Sequence, residues 1–165
     1  MKTICFIRHA KSSWKDFSLA DIDRPLNKRG ERDAPFMAKL LRGKQVQAEA
    51  IISSPANRAR TTAGHFAEAM GIKPKDIIIK KGIYEAYAED VLNIVQQIDN
   101  QYDTILVFGH NPTFTTIANL FTDNYIANVP TCGIIQIEAN VESWKYFSAE
   151  AGKLTQFYYP KQYFD

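Results

Sequence analysis

The chain has 165 residues, of which 45% are hydrophobic and 23% are charged. This length suits one domain with a sizeable core, and this balance of residues excludes a disordered chain. The formal net charge is only +2, which gives no reason to expect nucleic acid as a partner.

The chain opens with an apolar run that ends in charged residues. Residues 2–8 are rich in β-branched and aromatic side chains, which predicts a buried strand followed by a polar loop. Asn27 is a suitable N-cap for a helix that runs to about Leu41 and ends at Gly43. Pro35 lies within that span and indicates a kink or a later start.

The alternation of strand and helix then repeats. Residues 50–53 predict a second strand. Ser54-Pro55 is typical of a helix start, because the hydroxyl can cap the helix and proline suits its first turn. That helix is predicted to end near Met70, before Gly71. A third strand is predicted over 77–80.

The remaining elements complete an α/β pattern. A third helix is predicted over 88–99, and the nearly all-apolar run 104–108 is typical of a strand buried on both faces. A helix of about ten residues follows from Pro112. Further strands are predicted at 132–138, 143–147 and 155–159. We therefore expect an α/β fold in one domain, 1–165, with a mostly parallel central sheet flanked by helices and an antiparallel edge from the C-terminal strands.

The cysteines and the hydropathy pattern bear on the cellular setting. Cys5 and Cys132 lie inside apolar runs and lack CxxC spacing, so buried, reduced thiols are expected. No segment reaches the ~20 apolar residues of a membrane span, and the N-terminus lacks the pattern of a secretory signal. We expect a cytoplasmic protein without a membrane or nucleic-acid partner.

Polar residues of matching chemistry follow three of the predicted strands. The first strand ends in Arg8-His9, the second runs into a segment that contains Arg58, and the strand over 104–108 ends in Gly109-His110. If these strands are parallel, their carboxyl ends meet at one edge of the sheet, where α/β proteins bind ligands. Two arginines, two imidazoles and the neighbouring helix N-termini would together bind a tetrahedral dianion.

These segments resemble the motifs of a known family. Arg8-His9 followed by a small residue resembles the Arg-His-Gly signature of the histidine phosphatase superfamily, which has the phosphoglycerate-mutase-like fold. Ser54-Pro55-x-x-Arg58 and Gly109-His110-x-Pro112 are similar to its second and third motifs, and Asp23-Arg24-Pro25-Leu26 is similar to a further segment. The short chain without a large insertion most resembles the SixA-type branch, whose members act on phosphohistidine in proteins.

The resemblance implies a phosphatase that works through a covalent intermediate. Neutral His9 would attack phosphorus and become a phosphohistidine, which water then hydrolyses. Arg8 and Arg58 would hold the oxygens of the transferring group, and His110 would complete the phosphate site and serve the leaving oxygen. These positive charges make a metal unnecessary, and the histidines lack the HxH or HxxxH spacing of a zinc site. Neither a metal nor another cofactor is expected.

The proton donor is left open by the sequence. Many members of the family use a glutamate after the third strand, and Glu85 stands at the corresponding place in the order. Glu85 is either that donor or a solvated loop carboxylate. A phosphohistidine substrate has a nitrogen leaving group that can arrive already protonated, so His110 or no protein acid at all are the alternatives.

Some positions near the first motif depart from the family pattern. Ala10 replaces its glycine, and Lys15 stands where an asparagine would touch phosphate. Ser12 keeps the hydroxyl of the pattern. We predict Ser12, Lys15 and Arg24 as possible residues of the site's rim, with Lys15 adding a cation at its mouth.

The basic residues are concentrated near this motif. Residues 1–44 contain 11 Lys or Arg against 5 Asp or Glu, an excess that would attract anions to the site. For Lys28, Arg29 and Arg32 the alternative is a solvated helix face.

Two other functions fit the same residues. A phosphoglycerate mutase needs a closed site that shields the phosphoenzyme from water, and this chain has little sequence to spare for a lid. A non-catalytic module that binds phosphate or a phosphoprotein has no need of the nucleophile His9. We therefore expect a phosphatase whose partner is a phosphorylated protein or a small phosphorylated metabolite.

Overall fold

The fold is a mixed sheet between two layers of helices. The computed structural model describes residues 1–164. Its strands are β1 (Lys2–Arg8), β2 (Ala50–Ser53), β3 (Ile78–Ile79), β4 (Thr104–Gly109), β5 (Ile134–Ala139) and β6 (Gly152–Tyr158). Its helices are α1 (Lys28–Gly43), α2 (Asn57–Met70), α3 (Ala88–Val95) and α4 (Thr113–Leu120).

The strands are hydrogen-bonded in the order β3-β2-β4-β1-β5-β6. Strands β1 to β4 run parallel, whereas β5 runs antiparallel to both β1 and β6. This confirms the predicted parallel sheet with an antiparallel C-terminal edge. Arg8 at the end of β1 lies opposite Gly109 at the end of β4, and Ser53 of β2 lies opposite Phe108. The carboxyl ends of the three central strands therefore meet at one edge.

Each face of the sheet is covered by a pair of helices. Alternate residues of a strand point to opposite faces, so β1 contributes to both apolar layers. The layer under α1 and α2 includes Cys5, Ile7, Met37, Leu41 and Phe66. The layer under α3 and α4 includes Ile4, Phe6, Val91, Phe114 and Ile117. Cys5 and Cys132 are buried and free. None of the helices in residues 1–164 is both long and apolar enough to cross a membrane.

The predicted helix starts are correct for α1 and wrong for α2. The Asn27 side chain accepts a hydrogen bond from the Gly30 amide at 2.9 Å, which caps α1 as expected. The helix continues through Pro35, so a later start is excluded. Helix α2 begins only at Asn57, because the Ser54 hydroxyl is used in the preceding turn, where it accepts from the Ala56 amide at 3.2 Å.

The predicted strand over 143–147 is also wrong. This stretch forms a 3₁₀ turn, Trp144–Tyr146. The Trp144 indole is fully buried and donates its Nε1–H to the Tyr102 carbonyl at 2.7 Å. Its backbone N–H donates to the Asn100 side chain at 2.8 Å. Trp144 and Phe147 fill the end of the core under the sheet instead of pairing with a strand, whereas Tyr146 is exposed.

Candidate active site

The carboxyl edge of the sheet brings the predicted segments together. The His9 amide donates to the Gly109 carbonyl at 3.0 Å, and the Ser54 amide donates to the Phe108 carbonyl at 3.0 Å. The rings of His9 and His110 are 5.3 Å apart between centroids. The charges of Arg58 and Arg8 act on both imidazoles. Arg8, His9, Arg58 and His110 therefore surround a common space.

The imidazole of His9 is held as one tautomer. Its Nδ1 lies 2.8 Å from the carbonyl oxygen of Ala10. A carbonyl can only accept, so Nδ1 carries the proton and Nε2 keeps its lone pair. His9 is only 8% exposed, and burial is the main cause that lowers its pKa to about 3. His9 is therefore neutral at neutral pH, with an unprotonated Nε2.

The backbone that carries His9 is fixed by α2 and α1. The Ala10 amide donates to the Thr62 hydroxyl at 3.0 Å, and that hydroxyl donates to the Arg58 carbonyl at 2.7 Å. The first turn of α1 packs against the same segment. A Cβ on Gly30 would lie 2.2 Å from the Lys11 carbonyl oxygen, so only glycine permits this approach.

The second imidazole, His110, is set by the turn after β2. Its Nε2 lies 2.8 Å from the Ser54 hydroxyl, and its ring makes an edge contact with the Tyr84 ring. Burial, and then the charge of Arg58, lower the pKa of His110 to about 4. Within residues 1–164, its buried Nδ1 has no hydrogen-bond partner. His110 thus offers a second neutral imidazole to a ligand that approaches His9.

The two arginines have different partners. Arg8 donates from Nη1 to the Val129 carbonyl at 3.0 Å. Its Nε is buried and has no partner in the part of the chain that the structure describes. Arg58 is 7% exposed. It donates from Nη1 to the Asp21 carbonyl at 2.7 Å and from Nη2 to the Asp21 carboxylate at 3.0 Å.

Asp21 is a residue of the site that the sequence analysis missed. Besides Arg58, its carboxylate accepts from the Tyr84 hydroxyl at 2.6 Å and from Arg24 at 3.1 Å. The bond from Tyr84, followed by that from Arg58, lowers the pKa of Asp21. This carboxylate is therefore ionised and fixes the Arg58 guanidinium in place. Its position just ahead of the Asp23-Arg24-Pro25-Leu26 segment was the available signal.

Two of the three predicted rim residues are not at the rim. Ser12 and Arg24 are buried, and the guanidinium of Arg24 donates to the Ser12 hydroxyl. Arg24 also stacks on the Trp14 ring, with Cζ 3.3 Å from its centroid. These two side chains support the loop that carries Asp21. Lys15 is exposed on the same loop, as the rim prediction requires.

The position of Glu85 bears on the prediction that it is the proton donor. It follows Tyr84 and is exposed. Within residues 1–164, its carboxylate makes no hydrogen bond to the two histidines or the two arginines. Its φ of +55° lies in the left-handed region, which costs energy for a residue with a side chain. The role of Glu85 as proton donor therefore stays a prediction.

The residues of the site do not form a metal centre. Among residues 1–164, no three His, Cys, Asp or Glu side chains are close enough together to hold a metal ion. His65 lies on α2 and faces Glu31 at 3.6 Å instead. The site consists of two guanidiniums, two neutral imidazoles and one carboxylate, a donor-rich set that suits a phosphate dianion.

Comparison with known proteins agrees with this geometry. The model of the histidine phosphatase superfamily (branch 1) matches residues 4–103. The chain belongs to the histidine phosphatase superfamily. An uncharacterized chloroplastic protein of Arabidopsis thaliana is 31% identical over 159 residues, which is 92% of this chain and 72% of that protein.

Solved structures of the SixA type share the fold. A protein assigned as the phosphohistidine phosphatase SixA of Agrobacterium tumefaciens superposes with a TM-score of 0.80 at 25% identity, over 96% of this chain and 98% of that one. A complex of the protein histidine phosphatase SixA with tungstate gives a TM-score of 0.78 at 19% identity, over 94% of this chain and 95% of that one. The protein is a SixA-like phosphatase with the phosphoglycerate-mutase-like fold.

Proposed function

We propose that this protein hydrolyses its phosphorylated substrate without a metal ion, through a covalent phosphohistidine on His9. The state of His9 carries the proposal. Its Nδ1–H is held by the Ala10 carbonyl and its pKa is lowered to about 3. Because Nε2 is already unprotonated at neutral pH, it needs no base to act as a nucleophile.

The chemistry takes two displacements at phosphorus. The lone pair of His9 Nε2 forms a bond to phosphorus while the bond to the leaving atom breaks, and that atom keeps the electron pair. Arg8, Arg58 and His110 bind the phosphoryl oxygens and stabilise their charge. The oxygen of a water molecule then forms a bond to phosphorus while the P–N bond breaks and returns its electrons to Nε2. One proton of the water passes to a phosphoryl oxygen or to solvent, and inorganic phosphate is released.

The arrangement of acids favours a substrate with a good leaving group. Asp21 is ionised and bound to Arg58, so it positions the arginine and does not donate a proton. Glu85 is exposed and makes no hydrogen bond to the two histidines or the two arginines within residues 1–164. The imidazole of a phosphohistidine can leave as a neutral ring when its other nitrogen is already protonated, whereas an alkyl phosphomonoester without an acid must expel an alkoxide. We therefore propose phosphohistidine in a protein as the preferred substrate and small phosphomonoesters as poorer ones.

Hydrolysis of an activated aryl phosphate in the presence of EDTA tests the proposal. Wild-type protein should turn over and His9→Asn should lose nearly all of that activity. Anion binding without turnover would support a binding module instead and contradict the proposal. Activity that EDTA abolishes and added metal restores would contradict metal independence.

A substrate panel with Glu85→Gln separates the possible proton donors. If Glu85 is the acid, the variant loses activity on alkyl phosphomonoesters by about 10²-fold or more and keeps it on phosphohistidine. If neither substrate is affected, Glu85 is a solvated carboxylate. A wild-type preference for phosphomonoesters over protein phosphohistidine would overturn the proposed substrate.

A further inference from the structure

A second basic cavity lies at the same edge of the sheet, beside the first turn of α1. Its volume is about 200 Å³, and its walls include Arg29, Arg32, Asp33, Thr131, Lys161 and Phe164. A helix that connects two parallel strands begins near the carboxyl edge of the sheet, where the first of these strands ends. Arg29 and Arg32 therefore lie on the side of the molecule that holds His9. They are two of the basic residues for which the sequence left an anion site and a solvated face as alternatives.

A buried carboxylate orients the two arginines. Asp33 is 1% exposed. Its Oδ1 lies 2.8 Å from Nη2 of Arg32, and its Oδ2 lies 3.8 Å from Nε of Arg29. On its other side, the Arg32 guanidinium stacks on Phe164, with Cζ 4.0 Å from the ring centroid. Contacts of this kind fix a guanidinium before a ligand arrives, which lowers the entropic cost of binding.

The cavity keeps an excess of positive charge. Among the lining residues that the structure describes, Asp33 supplies one negative charge, whereas Arg29, Arg32 and the exposed Lys161 supply three positive charges. Half of each arginine side chain is still exposed. Such a cluster attracts carboxylates and phosphates, which guanidiniums bind with charge-assisted hydrogen bonds. A solvated helix face would not have a buried acid and an aromatic ring arranged behind it.

One loop, residues 129–133, forms the wall between this cavity and the catalytic pocket. The Val129 carbonyl accepts from Arg8, and the Thr131 hydroxyl accepts from Arg29 at 3.0 Å. The Cys132 amide donates to the carbonyls of Arg8 and His9 at 2.9 and 3.1 Å. After burial, the charge of Arg29 is the next cause that lowers the pKa of Arg8. The two guanidiniums are thus neighbours across a single stretch of backbone.

We propose that the Arg29–Arg32 cavity binds a second acidic group, a carboxylate or a phosphate, of the molecule whose phosphoryl group enters the catalytic pocket. The inference rests on the proposed function and adds to it a selection among substrates. Molecules with one phosphoryl group and no other acid use only the catalytic pocket. Molecules that present a second acid at the right distance use both sites and bind more tightly.

Matched pairs of aryl phosphates, each with an alkyl chain on the ring, test this selection, because their phenolate leaving groups need no protein acid. Each pair has the same chain length and ends in either a carboxylate or a hydroxyl, and the chain length is varied. In wild-type protein, the carboxylate member should have the higher kcat/KM at one or more lengths. Arg29→Gln should reduce that ratio about tenfold, which corresponds to about 1.4 kcal/mol. The ratio cancels any effect of the substitution on catalysis itself.

Lys28→Gln is the matched control. Lys28 is the exposed neighbour of Arg29 and does not line the cavity, so the variant removes one charge at the same helix turn. It should keep the wild-type ratio. An equal loss in Lys28→Gln and Arg29→Gln, or a wild-type ratio near one at every length, would overturn the inference while leaving the proposed function intact.

A binding measurement does not depend on turnover. It therefore distinguishes the absence of a second anion site from a failure of the proposed phosphatase function. Inorganic phosphate is titrated into ¹⁵N-labelled protein, and the Arg29 side chain and Thr131 amide are followed by NMR. These signals should shift in wild-type protein and in Arg58→Ala, whose catalytic phosphate site is impaired, but the Thr131 shift should be lost in Arg29→Gln. Phosphate that moves only the signals of the catalytic pocket contradicts a second anion site, whether or not the enzyme is active.

Discussion

Acidification should destabilise this protein by an amount that can be assigned to His9 and His110. Burial is the main cause that lowers the pKa of His9 to about 3 and of His110 to about 4, from an ordinary value of 6.5. The unfolded chain therefore takes up these protons as the pH falls through 6.5, whereas the folded protein takes them up only near 3 to 4. Between these values, each proton bound favours the unfolded state.

The size of this loss of stability follows from the pKa shifts of the two histidines. One pKa unit corresponds to about 1.36 kcal/mol, so each histidine should cost about 2 kcal/mol between roughly pH 7 and pH 5. Together they remove about 4 kcal/mol, a large part of the roughly 5–15 kcal/mol that stabilises a typical domain. Asp21, with its pKa lowered from 3.8, adds a loss only as the pH falls below that range.

Urea unfolding at the two pH values, with wild type and His9→Asn, measures this loss. The free energy of unfolding should fall by about 4 kcal/mol in wild type and by about half of that in His9→Asn. His65→Asn is the matched control for the loss of a histidine as such, because His65 lies on α2 beside Glu31. If His9→Asn and wild type lose the same stability on acidification, His9 is not buried in its neutral form and the reasoning is refuted.

Three substitutions test the framework around His9. Thr62→Val leaves the buried Ala10 amide without its acceptor and should lower the free energy of unfolding by about 1–3 kcal/mol, whereas Thr61→Val, next to it on α2, should have little effect in the same denaturation assay. Gly30→Ala places a Cβ 2.2 Å from the Lys11 carbonyl and should cost about 1–3 kcal/mol or more; Gly43→Ala, with open space around it, is the control, and equal stability of the two variants would be inconsistent with the close packing. Asp21→Ala removes the carboxylate that holds Arg58 in place and should weaken inhibition by vanadate about fivefold; unchanged or tighter inhibition would contradict this positioning role of Asp21.

The architecture of the site could be predicted because strand ends are visible in the sequence. The apolar runs before Arg8-His9 and before Gly109-His110 identify buried strands, and their parallel pairing places both histidines at one edge. The Asn27 cap was equally visible, since the side chain and its position before α1 define it. These features depend on local residue patterns and one topological rule.

Contacts between distant segments could not be predicted in this way. Asp21 is absent from the predicted site, because nothing local shows that Arg58 and Tyr84 pack against its loop. Arg24 is predicted at the rim of the site, but the ion pair with Asp21 and the Trp14 ring allow its burial.

The prediction that α2 begins at Ser54-Pro55 failed for a related reason. Ser54 has the side chain of a helix cap and lies beside proline, yet its hydroxyl serves the Ala56 amide and the His110 ring. Likewise, the stretch 143–147 has the aromatic content of a strand but closes the end of the core as a 3₁₀ turn. In each case a tertiary partner decides between two conformations that the local sequence permits.

Chemical trapping of the reaction intermediate tests the central role of His9. Wild-type protein is mixed with a phosphorylated substrate, quenched at alkaline pH within one turnover, and digested for mass spectrometry. We expect a single phosphoryl group on the peptide that contains His9, and no such peptide from His9→Asn. Turnover without a phosphorylated residue, or with the phosphoryl group on another side chain, would contradict the account.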